Sequence, residues 1–234
     1  MKYAMNIKTL IPFILLSSIL SCVSPNEKSV KQTKDDSSFQ NDNAADFLEL
    51  FTKINIDTFH IYSSIGKKPD NKFLGTQIDK RYYHFFKFDT ILTYNLIDDR
   101  GPKESIHACY KFKLSDNTTG LLLRTPSLYE VTAVDLYIWD NTIAKIIGRE
   151  YLSDGYGDEG FEFVQDAWIT DIDKDGNIDI IKRRKDHDID LDDESKVSSS
   201  DSIFAFLWRE NKFVKSSIRI EPVKFPIHYW QWDN

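Results

Sequence analysis

The stretch TDIDKDGNIDII carries the side chains best suited to chemistry in this sequence. Asp171, Asp173 and Asp175 alternate ahead of Gly176, and Asp179 follows three residues later. Carboxylates spaced in this way can converge on one hard cation, while glycine permits the sharp bend that convergence needs. The spacing therefore predicts an oxygen-rich cation site in a tight loop. The alternative is an acidic turn without a metal, because Asp and Asn favour turns in any case.

The elements on either side of the loop decide what kind of cation loop it is. The acids fit the first positions of an EF-hand loop, but Lys182 stands where an EF-hand places its bidentate Glu. The flanks FEFVQDAWIT and IDIIKRR have the aromatic and β-branched composition of strands. A helix–loop–helix arrangement is not supported, and the loop is expected to connect two strands.

A DxDxDG loop between strands resembles the calcium loops of integrin-like (FG-GAP) β-propeller repeats. The resemblance covers about a dozen residues, and it implies a structural Ca²⁺ that ties two strands together. It implies the ligands Asp171, Asp173, Asp175, Asn177 and Asp179, with Asp158 or Glu159 as candidates for the missing carboxylate.

The start of the chain has the pattern of a secretion signal. Lys2 and Lys8 flank a positive segment, and the apolar run 10–20 is too short for a spanning helix, which needs about 20 residues. The run ends in ILSC, which resembles the lipobox of bacterial lipoproteins and implies cleavage before Cys22 and acylation of its thiol, for example with palmitate. An ordinary signal peptide with a chance cysteine is the alternative.

Charge and composition narrow the classes of partner. The 234 residues carry a formal charge of −7, and loss of residues 1–21 with their two lysines would leave −9. Such acidity argues against nucleic acid and against electrostatic adhesion to anionic lipid. Membrane attachment is therefore expected through the acyl chains. The expected location is the bacterial cell envelope, at the outer membrane, on its periplasmic or surface side.

The rest of the chain divides into a tether and one domain. Residues 22–43 are almost all polar and predict a flexible tether, and residues 44–234 suit a single domain. NAADFLELFTKI and TQIDKRYYHFFK show helical spacing of apolar residues, the second with Ile78, Tyr82 and Phe85 facing inward. After residue 105, eight short β-type segments alternate with turn residues. The fold class expected is α+β, mainly an antiparallel β-meander with one or two short N-terminal helices.

Three further features have alternative interpretations. Cys109 lies two residues from His107, but packing is favoured over catalysis for both. The acidic segment KDHDIDLDDESKVSSSD predicts a solvated mobile loop, with a second divalent ion near His187 as the alternative. Trp230 and Trp232 would share one face of a final strand, where they could bind a glycan or a protein, or else close the core.

The function indicated is binding rather than catalysis. No nucleotide loop, nucleophile elbow or metalloprotease helix is present in the sequence. The β-rich half also resembles a group of uncharacterised bacterial lipoproteins, which implies location and ion but no activity. We expect a lipid-anchored envelope protein that binds a glycan or a protein. The alternatives are an immunity or inhibitor-type lipoprotein that blocks a toxin or enzyme, and an envelope hydrolase.

Overall fold

The computed structural model describes residues 37–63, 71–86, 106–126, 133–158, 160–190 and 196–228. Ser37–Asn234 form one compact unit, and the first helix begins at Ser37, inside the stretch assigned to the tether from sequence. Cys22 and the segment expected to be a secretion signal lie outside the described residues. Among the described helices, none has both the length and the apolar character needed to span a membrane.

The elements are mostly strands. The helix α1 spans Ser37–Glu49, and 3₁₀ turns occupy Asn71–Phe73, Lys80–Phe86 and Pro222–Lys224. The strands are β1 (Thr52–Lys53), β2 (Thr58–Ile61), β3 (Thr76–Gln77), β4 (His107–Lys113), β5 (Thr118–Thr125), β6 (Ala133–Asp140), β7 (Lys145–Asp158), β8 (Phe161–Thr170), β9 (Asp179–Ile189), β10 (Val197–Arg209) and β11 (Lys212–Ser216).

The eleven strands of the described residues belong to one sheet, in the order β1-β4-β5-β6-β7-β8-β9-β10-β11, with β3 beside β4 and β2 beside β8. Every pairing is antiparallel except that of β1 with β4. The strand β7 pairs with β6 through Ser153 and with β8 from Asp154 onward. The sheet therefore consists of two halves that share β7. The first contains β1, β3, β4, β5 and β6, and the second contains β2, β8, β9, β10 and β11. The prediction of a mainly antiparallel β protein is confirmed.

Two hydrophobic cores lie on opposite faces of the first half-sheet. One contains Phe47 of α1, with Tyr82 and Phe86 of the second 3₁₀ turn. The other joins the two half-sheets and includes Ile169 and Trp208 of the second half. The strand β6 faces both cores, with Tyr137 and Trp139 on one side and Val134, Leu136 and Ile138 on the other. Both faces of β6 are buried for this reason, although its sequence alternates with period two.

Two sequence predictions were wrong in extent. The segment SDGYGDEG, whose composition predicts a turn, instead supplies residues 153–158 of β7. Most of the expected mobile loop around His187 is strand, because β9 runs to Ile189 and β10 starts at Val197. Cross-strand pairing with neighbours outweighs the local preference of Asp, Ser and Gly for turns in both segments. The second expected helix is a 3₁₀ turn that buries Tyr82 and Phe86, while Phe85 is only partly buried.

Candidate metal centre

The acidic loop connects β8 to β9, as the sequence predicts. Oδ1 of Asp171 accepts a hydrogen bond from the backbone N–H of Asp175 at 3.2 Å, and Oδ2 accepts one from that of Gly176 at 2.9 Å. Oδ1 of Asp175 in turn accepts the N–H of Asn177 at 2.8 Å. Gly176 has φ +85°, a left-handed conformation that glycine adopts without strain. The loop is thus closed by its own carboxylates.

Three of the five predicted ligands converge. Asp171, Asp173 and Asp179 each offer one carboxylate oxygen, and these oxygens lie within 4.8 Å of one another. Oxygen donors at this spacing suit a hard cation. The group can therefore hold a metal ion, and within the described residues no second group of His, Cys, Asp and Glu meets the same condition.

Asp179 anchors this group to the rest of the sheet. It is fully buried at the start of β9, where its Oδ2 accepts the N–H of Ile172 and its Oδ1 accepts the N–H of Trp208, each at 2.9 Å. Burial raises the pKa of Asp179, and the neighbouring charges of Asp173 and Asp175 raise it further, against the lowering effect of the two backbone hydrogen bonds. A cation at the site would favour the charged form of Asp179.

Arg209, the last residue of β10, supplies a positive charge to the loop. Its guanidinium donates from Nη1 to Oδ2 of Asp175 at 2.8 Å and from Nη2 to Oδ2 of Asp173. The pKa of Arg209 is raised, chiefly by the hydrogen bond to Asp173. The pKa of Asp175 is lowered, first by the N–H of Asn177 and also by Arg209. Asp175 is not part of the converging group, and its carboxylate accepts hydrogen bonds from Asn177 and Arg209 instead.

No protein-family model, curated protein or solved structure matches this chain.

The candidates for an additional carboxylate ligand do not join the converging group within the described residues. The backbone of Asp158 pairs with Phe161, at the end of β8 opposite the loop, and ten extended residues span about 30 Å. The structure therefore does not bring Asp158 to the acidic group. Glu159, the side chain of Asp158, Trp230 and Trp232 lie outside the described residues.

A groove of about 460 Å³ lies beside the loop. Its lining includes Gly176, Asn177 and Ile178 of the loop, together with Phe112 and Asp116. Its lining mixes apolar side chains with amide, hydroxyl and charged groups, so a small polar ligand could contact the loop from this side.

Cys109 is buried and is not suited to nucleophilic catalysis. Burial raises the pKa of its thiol to about 11, despite the opposing effect of Arg124. The thiol lies 3.6 Å from the carbonyl oxygen of Phe73 and 3.7 Å from that of His107. Since the thiolate is the nucleophile, a thiol with this pKa stays unreactive at neutral pH.

The structure also assembles a cluster that the sequence analysis missed. Nε2 of His60 lies 2.7 Å from Oδ2 of Asp166, a fully buried carboxylate, and the His60 ring stacks on Trp168 at 4.5 Å. The His228 ring lies 3.9 Å from that of Tyr62. No local spacing could reveal this cluster, because its members come from β2 and the residue that follows it, from β8 and from the C-terminal segment.

Proposed function

We propose that this protein is a lipid-anchored protein of the bacterial cell envelope whose β-rich body binds a ligand and is stabilised by calcium at the acidic loop. The observation that carries the calcium site is the convergence of oxygens from Asp171, Asp173 and Asp179 within 4.8 Å. The anchor and location rest on the lipobox-like ILSC and the signal-type start of the sequence.

Calcium is preferred over other metals because of the donor set. All the converging side chains are carboxylates, with no His or Cys, which disfavours zinc and copper. Calcium accepts six to eight oxygens in flexible geometry, so backbone carbonyls of the loop, such as that of Asn177, can complete the shell. Magnesium demands a stricter octahedron and keeps more of its water.

The ion has a structural role in this proposal. Asp179 already links the loop to β10 through the N–H of Trp208. An ion shared by Asp171, Asp173 and Asp179 would hold the end of β8 and the start of β9 together and offset the repulsion of their charges.

We also propose that the fold is of the α+β class, with α1 closing one face of the sheet. It is supported by Phe47, whose ring lies 5.6 Å from that of Trp139.

The calcium site is tested by thermal unfolding of Ser37–Asn234 in chelator, in millimolar calcium and in millimolar magnesium. Any ligand that prefers the native state raises Tm, so calcium should raise it and magnesium should raise it less. Asp173→Ala should abolish the rise in Tm, because it removes one of the three converging carboxylates. Asp173 is chosen because its side chain makes no backbone hydrogen bond among the described residues. Asp46→Ala, an exposed acid on α1, is the matched control and should keep it. Equal Tm values in calcium and chelator would refute the site.

The anchor is tested in cells on the full chain. Labelled palmitate should be incorporated into the wild type and not into Cys22→Ser, and the variant should leave the membrane fraction. A wild type that incorporates no label would refute the lipid anchor.

Ligand binding is tested with Trp230→Ala and Trp232→Ala. These changes should abolish binding to envelope glycans or proteins while Tm stays unchanged.

A further inference from the structure

The strand β10 has a long open edge. It spans Val197–Arg209, but its outer neighbour β11 pairs only with residues 205–209. Among the described residues, 197–204 make no backbone hydrogen bond on the side away from β9. The opposite end of the sheet is different, because its edge strand β1 has only two residues. Unpaired N–H and C=O groups along such an edge are a template for another strand.

The hairpin at the end of β10 shows which backbone groups point outward. Glu210 and Asn211 have φ of 50° and 62°, and they form a two-residue turn between the paired residues Arg209 and Lys212. In such a primed turn the flanking residues exchange backbone hydrogen bonds, so residues 209, 207 and 205 direct theirs to β11. The alternation continues along the strand, and residues 203, 201, 199 and 197 therefore direct their N–H and C=O groups outward.

In the part of the chain that the structure describes, this edge lacks the residue types that usually prevent strand addition. Proteins protect such edges with Lys, Pro or an unpaired charge, and none of residues 197–204 is Lys or Pro. The one charged residue, Asp201, is neutralised by Arg183, which donates to both carboxylate oxygens, at 2.9 Å and 2.6 Å. Val197 is 51% exposed on the same edge. A strand that approaches this edge would therefore meet apolar and hydroxyl side chains.

We propose that residues 197–203 of β10 pair antiparallel with the same residues of a second copy of this chain, with Ser200 on the twofold axis. This places Val197 opposite Ile203 and Ser199 opposite Asp201, and the outward-facing residues of the two copies become the hydrogen-bonded pairs. The proposal is independent of the calcium site and of the lipid anchor.

The side chains select this register among the neighbouring ones. A shift of two residues in one direction sets Asp201 against Asp201, and like charges directly opposite are destabilising. A shift in the other direction sets Val197 against Asp201 and leaves the apolar side chain without an apolar partner. The chosen register instead pairs two β-branched residues at each end and a hydroxyl with each carboxylate. The same patch serves both copies, as a twofold interface requires.

The pairing is short, so the dimer is weak in dilute solution and forms at high local concentration. Its buried area is below the ~1,200 Å² of a stable interface. A covalent trap is therefore the appropriate test. Residues opposite each other in a pair without backbone hydrogen bonds have Cα atoms about 4.5 Å apart, within the range of a disulfide. Ser200 is such a position, since it faces its own copy.

The experiment uses the full chain with Cys22→Ser, in which the remaining Cys109 is buried. Ser200→Cys should form a disulfide-linked dimer under mild oxidation. Ser198→Cys is the matched control, because it faces Ser202 of the second copy and lies about 13 Å from its own counterpart, too far for a bridge. A mixture of Ser198→Cys with Ser202→Cys should crosslink again. Failure of Ser200→Cys to crosslink, or equal crosslinking of Ser200→Cys and Ser198→Cys, would overturn the proposal.

A second variant separates edge pairing from simple collision. Ser199→Pro removes an outward-facing N–H, and proline is tolerated where that N–H does not serve the neighbouring strand. Added to Ser200→Cys, it should reduce crosslinking at least tenfold while the melting temperature shows that β9 and β10 still pair. Crosslinking that is unchanged by Ser199→Pro would also overturn the proposal.

Discussion

The backbone N–H of His228 donates a 2.7 Å hydrogen bond to Oδ2 of Asp166, a carboxylate with no solvent exposure. This contact holds the C-terminal segment on the outer face of the second half-sheet. Arg183 supports it by donating to the carbonyl oxygens of Pro222 and Phe225, and the Phe225 ring packs at 5.2 Å on Trp168. The end of the described chain is therefore held by three hydrogen bonds and by the ring contacts of Phe225 with Trp168 and of His228 with Tyr62.

We predict that Asp166→Ala releases this segment. The change removes the acceptor of the His228 N–H and of His60, and loss of a buried partner typically costs about 1–3 kcal/mol of unfolding free energy. Amide hydrogen exchange at residues 222–228 should become faster than in the wild type. Asp188→Ala, an exposed acid on β9, is the control and should leave exchange unchanged. Unaltered exchange in Asp166→Ala would show that the aromatic contacts hold the segment without the carboxylate.

Arg209 is expected to compete with calcium for the acidic loop. Its guanidinium contacts Asp173 and Asp175, and Asp173 is one of the three converging acids. Arg209→Gln should therefore lower Tm in chelator, because the acids repel one another, and should tighten calcium binding. A calcium titration followed by Tm measures both effects. Arg219→Gln, an exposed arginine, should behave as the wild type. Weaker calcium binding in Arg209→Gln would contradict competition.

Two glycines with left-handed backbones should respond differently to alanine. Gly176 has φ +85° with open space around its Cβ position, so Gly176→Ala should cost only the strain of that conformation, about 1–2 kcal/mol. Gly75 has φ +59°, and a Cβ there would lie 2.6 Å from the carbonyl oxygen of Ala108. Gly75→Ala must displace backbone and should cost more than about 2 kcal/mol. Denaturant unfolding compares the two, and equal costs would contradict the clash at Gly75.

Cys109 should make stability depend on pH in the alkaline range. Its pKa is raised to about 11 in the native state, so folding favours the neutral thiol. The contribution is complete below the ordinary thiol pKa of about 8.5 and is lost as pH rises from there towards 11. The free energy of unfolding should therefore fall more steeply between pH 8 and 10 in the wild type than in Cys109→Ala. Parallel pH profiles would show that the native thiol is not shielded.

Local sequence pattern was sufficient for most of the sheet. The eight predicted β-type segments correspond to β4 through β11, because aromatic and β-branched runs alternate with turn residues. The local pattern failed where polar residues form strands because they make hydrogen bonds to neighbouring strands. Asp186, for example, accepts hydrogen bonds from Arg184 and from Ser200 across the ladder, and neither contact is a local preference of Asp.

The spacing of residues along the chain predicts only part of the acidic site, because contacts from a neighbouring strand complete it. The spacing of Asp171, Asp173 and Asp179 lies within one loop, and the structure brings these three together. Arg209 and the N–H of Trp208 reach the loop only because β10 lies beside β9 in a particular register. A contact that depends on such register leaves no signature in the spacing of residues along the chain.

The shared strand β7 has a consequence for how this protein could evolve or be engineered. Residues up to Ser153 complete the first half-sheet, and residues from Asp154 start the second. Removal of either half would therefore leave part of β7 without a neighbouring strand. Engineering of this body is accordingly expected to succeed through changes to loops and edges rather than through exchange of halves.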